Sequence, residues 1–148
     1  MKTIYTHEEL PQKSEKWLEL RSPRVGGSDV PTILGLNKYE KAHTAWKHKT
    51  GRLKPKKMNE AMTRGAEMED EAIENVIQKL KYDGVSTSGV VPIVAIHPEY
   101  DNVIVSFDGV DLDNKFIVEV KCPKFSWNFK NIFTDGIPEH YYPQVQLQ

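Results

Sequence analysis

Three residues with catalytic chemistry, Asp108, Glu119 and Lys121, are grouped in the stretch SFDGVDLDNKFIVEVKCP at 106–123. The stretch is typical of two β-strands joined by a tight turn, in which the Asp-Asn pair at 113–114 tolerates a left-handed backbone. With that pair central to the turn, opposed residues have numbers that sum to 227, so Asp108 faces Glu119. Opposed side chains in an antiparallel pair project from the same face of the sheet, and their Cβ atoms are about 4.5–5.5 Å apart. The pattern therefore predicts one polar face that carries two acids and a lysine.

The predicted face has the chemistry of phosphodiester hydrolysis. Two opposed carboxylates repel each other unless a proton or a cation lies between them. Since Cys122 is the one cysteine, a metal would be held mainly by oxygen ligands, which favour Mg²⁺, Mn²⁺ or Ca²⁺ over zinc. Such a metal orients a water and stabilises charge on a phosphoryl oxygen. Lys121, with Ser106 beside it on the same face, helps to position the nucleophile or to neutralise the transition state. The alternative is a surface hairpin with incidental charges.

A long helix, expected from about 61 to 82, brings a further acid toward this face. Its apolar stripe recurs at helical spacing and consists of Ala72, Ile73, Val76, Ile77 and Leu80. Glu69 continues the stripe on its N-terminal side, so we expect it to face inward and to complete the set of oxygen ligands. The alternative is that the stripe ends at Ala72 and that Glu69 is exposed in the first turns, where acids favour the helix dipole.

A glycine pair, Gly26 and Gly27, precedes Ser28 and indicates the start of another helix. Ser28 or Asp29 suits the N-cap, and Pro31 is tolerated in the first turn. Helix N-termini expose N–H groups that attract anions, and glycines let a phosphate approach closely. The motif predicts either a phosphate site or a simple capped turn.

The remaining pattern favours a mixed α/β (α+β) domain. Helices are expected at 14–21 and 37–53, the second with Ala42, Ala45 and Trp46 facing inward, and two strands at 84–110. A chain of 148 residues supports one compact core, so we expect a single domain.

Charge and hydropathy limit the class of protein. Residues 1–58 carry 13 Lys/Arg and 6 Asp/Glu, whereas 59–148 carry 7 and 15. This division suits a protein that grips a polyanion with one surface and holds cations on another, although a scatter of solvated charges is the alternative. Because no apolar run approaches the roughly 20 residues that span a bilayer, and the N-terminus lacks the apolar core of a signal peptide, we expect a cytoplasmic protein.

Taken together, these motifs resemble the phage lambda-type exonucleases, also called YqaJ-like viral recombinases, of the PD-(D/E)xK nuclease superfamily. The resemblance covers almost the whole chain in order and spacing, through WLELR, VGGSD, TRGAEMEDEA, HPEY, SFDG, EVKCP and YYPQVQ. It implies a restriction-endonuclease-like core, with a mixed central β-sheet flanked by helices. It also implies that the chain, 1–148, is a nuclease domain that lacks the family's C-terminal extension, because relatives continue beyond QVQLQ.

The resemblance also implies residue roles and partners. The metal ligands would be Asp108, Glu119, Val120 and Glu69, with Lys121 as the catalytic lysine, Gln144 as the active-site glutamine, and Arg21, Ser28 and Ser106 as the pocket for a terminal 5′-phosphate. The cofactor would be Mg²⁺, with Mn²⁺ as a substitute, and the substrate would be duplex DNA ends digested from 5′ to 3′. Implied partners are a single-strand annealing protein and further copies in a ring-shaped trimer, in the cytoplasm of a bacterial host and encoded by a phage or prophage.

Two departures from the family pattern leave alternatives open. Phe107 replaces the proline before the catalytic aspartate, which should matter little because the carboxylate, not the proline, contacts the metal. Trp127 stands where some relatives have a basic residue, so the phosphate pocket is either weaker or uses Lys124 or Lys130 instead. An endonuclease with the same site and a DNA-binding or assembly module with an impaired site are the other functions to test. A Cas4-like nuclease is disfavoured, because the chain has no cysteine set for an iron–sulfur cluster.

Overall fold

The computed structural model describes residues 3–54, 57, 59–122 and 136–148. In these ranges the strands are β1 (Ile4–Thr6), β2 (Val25–Gly26), β3 (Val91–Ile96), β4 (Val103–Asp111) and β5 (Phe116–Val118). The helices are α1 (Glu15–Arg21), α2 (Val30–Ile33), α3 (Ala42–Lys49), α4 (Glu60–Tyr82) and α5 (Tyr142–Leu147), with 3₁₀ turns at Gly27–Asp29 and Glu139–Tyr141. The expected long helix and the expected strand pair are therefore present.

The sheet is mixed, as predicted, and its topology leaves an opening at one edge of β4. The strand order is β1-β3-β4-β2, and β5 also pairs with β4. The β2–β4 pair is parallel, and the other pairs are antiparallel. Because β3 occupies one edge of β4, β2 and β5 share the other edge, β2 at 103–104 and β5 at 109–111. Residues 105–108 of that edge lie between the two paired segments.

The hairpin of β4 and β5 has the predicted register, because its opposed residues have numbers that sum to 227. The turn differs from the prediction. It contains the four residues 112–115, and the left-handed residue is Lys115, with φ 56°, rather than Asp113 or Asn114. The buried carboxylate of Asp111 accepts hydrogen bonds from the backbone N–H groups of Asp113 at 2.9 Å and Asn114 at 3.0 Å. This Asx-type closure holds the loop without a left-handed residue at its centre.

The main apolar core lies between α1 and the sheet. Ser14 caps α1 by accepting a hydrogen bond from the N–H of Trp17 at 3.2 Å, and Trp17 and Leu20 then lie on one helix face. Both pack on a buried cluster formed by Leu10, Val94, Ile96 and Ile104. The first helix is thereby fixed against β3 and β4.

The long helix α4 packs closely on β4 at Gly109. A Cβ on Gly109 would lie 3.0 Å from Cδ1 of Ile73 and well inside contact distance of Val90. The glycine therefore permits the helix to approach the strand. Glu69 lies one turn before Ile73 on the same face of α4, so this contact also sets the position of Glu69.

One predicted packing surface is wrong. The helix expected at 37–53 extends only over Ala42–Lys49, and of its expected inward residues only Ala45 is buried. Trp46 is 47% exposed, with its ring stacked on His43 and beneath the guanidinium of Arg52.

None of the helices that the structure describes is long and apolar enough to cross a membrane.

Candidate active site

A cleft of about 200 Å³ lies at the opening between β2 and β5. It brings together eight of the residues that the sequence singled out, namely Arg21, Ser28, Glu69, Ser106, Asp108, Glu119, Lys121 and Gln144. Gln12, Lys13, Trp17, Gly27 and Gln148 complete the lining. Val120 does not line the cleft, but its backbone N–H contacts Asp108.

Asp108 lies at an irregularity of β4. The register of β4 on β3 shifts between Val91 and Ile93, so that Asp108 and Gly109 together lie opposite Pro92. Such bulges redirect side chains and are frequent beside active sites. β4 pairs regularly with β5 as far as Gly109, which lies opposite Val118. The next pair along the two strands would be the predicted one, Asp108 and Glu119, so it lies just beyond the regular ladder.

The carboxylate of Asp108 is protonated more readily than an ordinary aspartate. Burial, the charge of Glu119 and, to a smaller extent, the charge of Glu69 raise its pKa, which is about 6 in place of the ordinary 3.8. The backbone N–H of Val120, which donates to Oδ2 at 2.7 Å, and the Lys121 ammonium act in the opposite direction. The predicted repulsion between the acids is thus present, and additional positive charge in the cleft would stabilise the ionised form of Asp108.

Glu119 is held by three donors. Its Oε1 accepts hydrogen bonds from Nζ of Lys121 and, at 2.5 Å, from Nε2 of Gln144. Its Oε2 accepts from Nε2 of Gln148 at 2.6 Å. Nζ of Lys121 also donates to Oε1 of Gln144 at 3.1 Å. The carboxylate is therefore fixed in position in the cleft wall, with its side chain only 13% exposed.

The helix α5 supplies Gln144, and its C-cap residue is Gln148. Gln144 is buried, and Gln148 follows it by one helical turn, so the two amides lie on the same face. A Cβ on Gly27 would lie 3.2 Å from Cγ of Gln144, which shows how closely the Gly26-Gly27 turn packs on this helix. Sequence reasoning missed Gln148, although the i, i+4 spacing in QVQLQ is a signal that could have identified it.

Glu69 points toward the cleft, and the predicted inward orientation is present. Its carboxylate pairs with the ammonium of Lys13 at 2.9 Å, and its side chain is 23% exposed. Lys13 has φ 70°, a left-handed backbone that costs a non-glycine residue roughly 1–2 kcal/mol. A half-exposed ion pair contributes about 0.2–1 kcal/mol, so Lys13 at this position does not increase the stability of the fold. Sequence reasoning missed Lys13.

The residues predicted to bind a terminal phosphate line the same cleft and lie on α1, the glycine turn and β4. Nη2 of Arg21 donates to Oγ of Ser28 at 2.6 Å, and the Arg21 guanidinium lies over the ring of Trp17 at 5.0 Å. Nε1 of Trp17 donates to Oγ of Ser106 at 3.0 Å. The N-cap of α2 is Asp29, so Ser28 is free of the capping role and its hydroxyl belongs to the cleft.

The donor set suits a hard divalent cation, although its present arrangement does not enclose one. Carboxylate oxygens from Asp108, Glu119 and Glu69 share the cleft, and these are the ligands that Mg²⁺ and Mn²⁺ prefer. In the part of the chain that the structure describes, no group of three or more His, Cys, Asp or Glu side chains is placed to hold an ion. The ammonium groups of Lys13 and Lys121 instead partner two of the three acids.

Some predicted contributors lie outside the described residues. The range 123–135 lies outside them and contains Trp127 and the two alternatives for the phosphate pocket, Lys124 and Lys130. The role of the Val120 carbonyl as a metal ligand remains a prediction.

Comparison with known proteins identifies the relatives of this chain. A family model described as the YqaJ-like viral recombinase domain matches residues 16–148. The uncharacterized protein YqaJ of Bacillus subtilis (strain 168) is 33% identical over 135 residues, which covers 89% of this chain and 40% of YqaJ. The chain thus spans well under half the length of this relative.

Two crystal structures have the same fold. An alkaline exonuclease (LHK-Exo) from Laribacter hongkongensis is 25% identical, with a TM-score of 0.63, and the match covers 91% of this chain and 66% of the exonuclease. LHK-Exo in complex with dAMP gives the same TM-score of 0.63 at 24% identity, with 91% and 67% of the two chains covered. The predicted fold class is confirmed.

Proposed function

Because this chain belongs to the YqaJ-like viral recombinase family, we propose that it is a metal-dependent DNA nuclease that degrades linear duplex DNA from its 5′ ends. The observation that carries the proposal is the single cleft shared by Asp108, Glu119 and Lys121 with the Arg21–Ser28 pair. Acids and a lysine suit phosphodiester hydrolysis, and the arginine–serine pair suits a terminal phosphate. A cleft that contains both the hydrolytic residues and a site for a terminal phosphate favours cleavage near an end over cleavage at internal sites.

The proposed metal is Mg²⁺, with Mn²⁺ as a substitute. Asp108, Glu119 and Glu69 would hold it with the Val120 carbonyl, and when bound it would supply Lewis-acid stabilisation of a phosphoryl oxygen and a water of lowered pKa. The raised pKa of Asp108 supports this assignment, because a carboxylate that lacks compensating positive charge favours a bound cation.

The chain's own residues have separate tasks in this proposal. The Lys121 ammonium, held between Glu119 and Gln144, neutralises charge that develops on the scissile phosphate. Gln144 keeps both Lys121 and Glu119 in position. Arg21 and Ser28 bind the terminal 5′-phosphate, with the guanidinium oriented by the Trp17 ring.

The test uses linear and covalently closed circular duplex DNA, each incubated with Mg²⁺ or with EDTA. We expect digestion of the linear DNA alone, and only with Mg²⁺. Lys121→Met, which keeps the length of the side chain without its charge, should lose at least about 100-fold in rate. Cutting of closed circles would replace the exonuclease by an endonuclease, and binding without metal-dependent cleavage of either DNA would indicate a DNA-binding module.

We also propose the wider context that the family resemblance implies. The domain would act in the cytoplasm of a bacterial host, as part of a phage or prophage recombination system. It would assemble into a ring-shaped homotrimer and pass the remaining strand to a single-strand annealing protein. Analytical ultracentrifugation of the domain tests the trimer, and a monomer at micromolar concentration would contradict it.

A further inference from the structure

Lys13 has no task in the proposed reaction, yet it lines the cleft and its ammonium pairs with Glu69. We propose that Lys13 is a phosphate-binding residue, which pairs with Glu69 in the free protein and contacts a backbone phosphate of bound DNA. The inference rests on the proposed function, since it requires a nucleic acid in this cleft. It gives the site a second substrate-binding cation besides Arg21, located beside Glu69 of α4.

The neighbours of Lys13 determine where its side chain points. Nε2 of Gln12 donates to the backbone carbonyl of Phe107 at 2.8 Å, which attaches this segment to β4 beside Asp108. Ser14 is fixed on the other side as the N-cap of α1. Between these two attachments Lys13 adopts φ 70°. The left-handed backbone thus places the ammonium at the cleft, 2.9 Å from Glu69.

The ion pair alone does not account for this arrangement. The left-handed region strongly favours glycine, and a pair whose lysine side chain is 51% exposed adds little to stability. Strained residues that persist in a fold are concentrated at functional sites. A lysine that costs stability but supplies charge to a polyanion site is consistent with that pattern.

The chemistry of the ammonium suits both partners. It has three donors and no acceptor, so it can keep one bond to Glu69 and offer another to a phosphate oxygen. Its half-exposed position leaves it accessible to a ligand that enters the cleft. Each neutralised phosphate of duplex DNA releases condensed counterions, so a lysine that makes one contact contributes about one to the salt dependence of binding.

The chain contains a matched control for the experiment. Lys115 is also a left-handed lysine, with φ 56°, but it lies exposed in the β4–β5 turn and outside the cleft lining. Lys13→Gly and Lys115→Gly therefore remove the same charge and relieve the same kind of backbone strain. The binding of each variant to a blunt duplex oligonucleotide is measured in EDTA, where no cleavage is expected, over a range of NaCl concentrations.

We expect both variants to melt at or above the temperature of the unsubstituted protein. Lys13→Gly should reduce the slope of log Kd against log salt by about one and weaken binding at low salt, whereas Lys115→Gly should change neither. Lys13→Arg, which keeps the charge, should restore the slope. An unchanged slope in Lys13→Gly, an equal loss in Lys115→Gly, or no duplex binding by the unsubstituted protein would overturn the inference.

The same samples separate the two proposals. If the unsubstituted protein digests linear DNA with Mg²⁺ but Lys13→Gly keeps its salt slope, the inference fails and the nuclease stands. If the slope falls as expected but no Mg²⁺-dependent digestion occurs, Lys13 is a phosphate ligand of a DNA-binding module and the nuclease proposal fails.

Discussion

The backbone N–H of Val120 donates a hydrogen bond to Oδ2 of Asp108 at 2.7 Å, just beyond the last regular pair of the hairpin. This bond joins the two arms of the hairpin at the point where their ladder ends. It stabilises the charged form of Asp108, but burial and the nearby charge of Glu119 outweigh it. The site therefore holds a carboxylate that is well positioned and electrostatically unfavourable in the absence of a cation.

Asp108 should make the stability of the metal-free protein depend on pH. Its pKa is raised from 3.8 to about 6 in the folded protein, so the folded state binds this proton more tightly than the unfolded state. The stabilising contribution is complete below 3.8, falls as the pH rises to about 6, and is absent above it. A shift of about two pKa units corresponds to about 3 kcal/mol, and solvent screening of the partly exposed carboxylate reduces this value. Asp108→Asn removes the ionisation and should therefore raise the free energy of unfolding at pH 8 by about 1–2 kcal/mol.

Thermal melts in EDTA at pH 4 and pH 8 measure this effect. Asp70→Asn, on an exposed position of α4, is the control and should melt like the unsubstituted protein at both values. Mg²⁺ at pH 8 should raise the melting temperature of the unsubstituted protein more than that of Asp108→Asn. An equal response of the two proteins to Mg²⁺ would contradict the assignment of Asp108 as a metal ligand.

Gly109→Ala should destabilise the fold and displace Glu69. The added methyl group would lie 3.0 Å from Ile73 and closer still to Val90, and overpacking of this kind costs about 1–3 kcal/mol. Gly65→Ala is the matched control, because a Cβ there meets nothing within 4 Å and alanine favours a helix by roughly 0.5–1 kcal/mol. Urea unfolding should move in opposite directions in the two variants, and equal midpoints would show that α4 does not pack as described.

The sequence predicted the register of the β4–β5 hairpin better than it predicted the structure around it. The register in which opposed residue numbers sum to 227 follows from the turn length and the alternation of the strands. The positions of Asp108 and Glu119 along the hairpin were therefore predictable. The bulge on β4 was not predictable, because a single extra residue leaves no mark on an alternating pattern in which Gly109 can face either way. The left-handed backbone at Lys115, in place of Asp113 or Asn114, was also not predictable. The buried Asp111 carboxylate closes the turn, and no local propensity reveals that contact.

Long-range partners account for the other differences. The inward direction of Trp46 was inferred from helical spacing alone, but α3 is short, and little beyond Ala45 is buried. Lys13 and Gln148 were missed because their importance depends on Glu69 and Glu119, which lie 56 and 29 positions away. The assignment of one domain and the roles of the individual site residues remain predictions.

Ser28→Ala should reduce the preference for phosphorylated ends. The Ser28 hydroxyl accepts a hydrogen bond from Nη2 of Arg21 at 2.6 Å, and in the proposed complex it can donate its own proton to the terminal phosphate. A hydrogen bond to a charged group contributes about 1.5–3 kcal/mol, so the ratio of digestion rates on 5′-phosphorylated and 5′-hydroxyl duplexes should fall at least tenfold. Ser22→Ala, an exposed serine outside the cleft lining, should keep the ratio. If Ser28→Ala slows both substrates equally, Ser28 serves the fold or the chemistry and the phosphate pocket lies elsewhere.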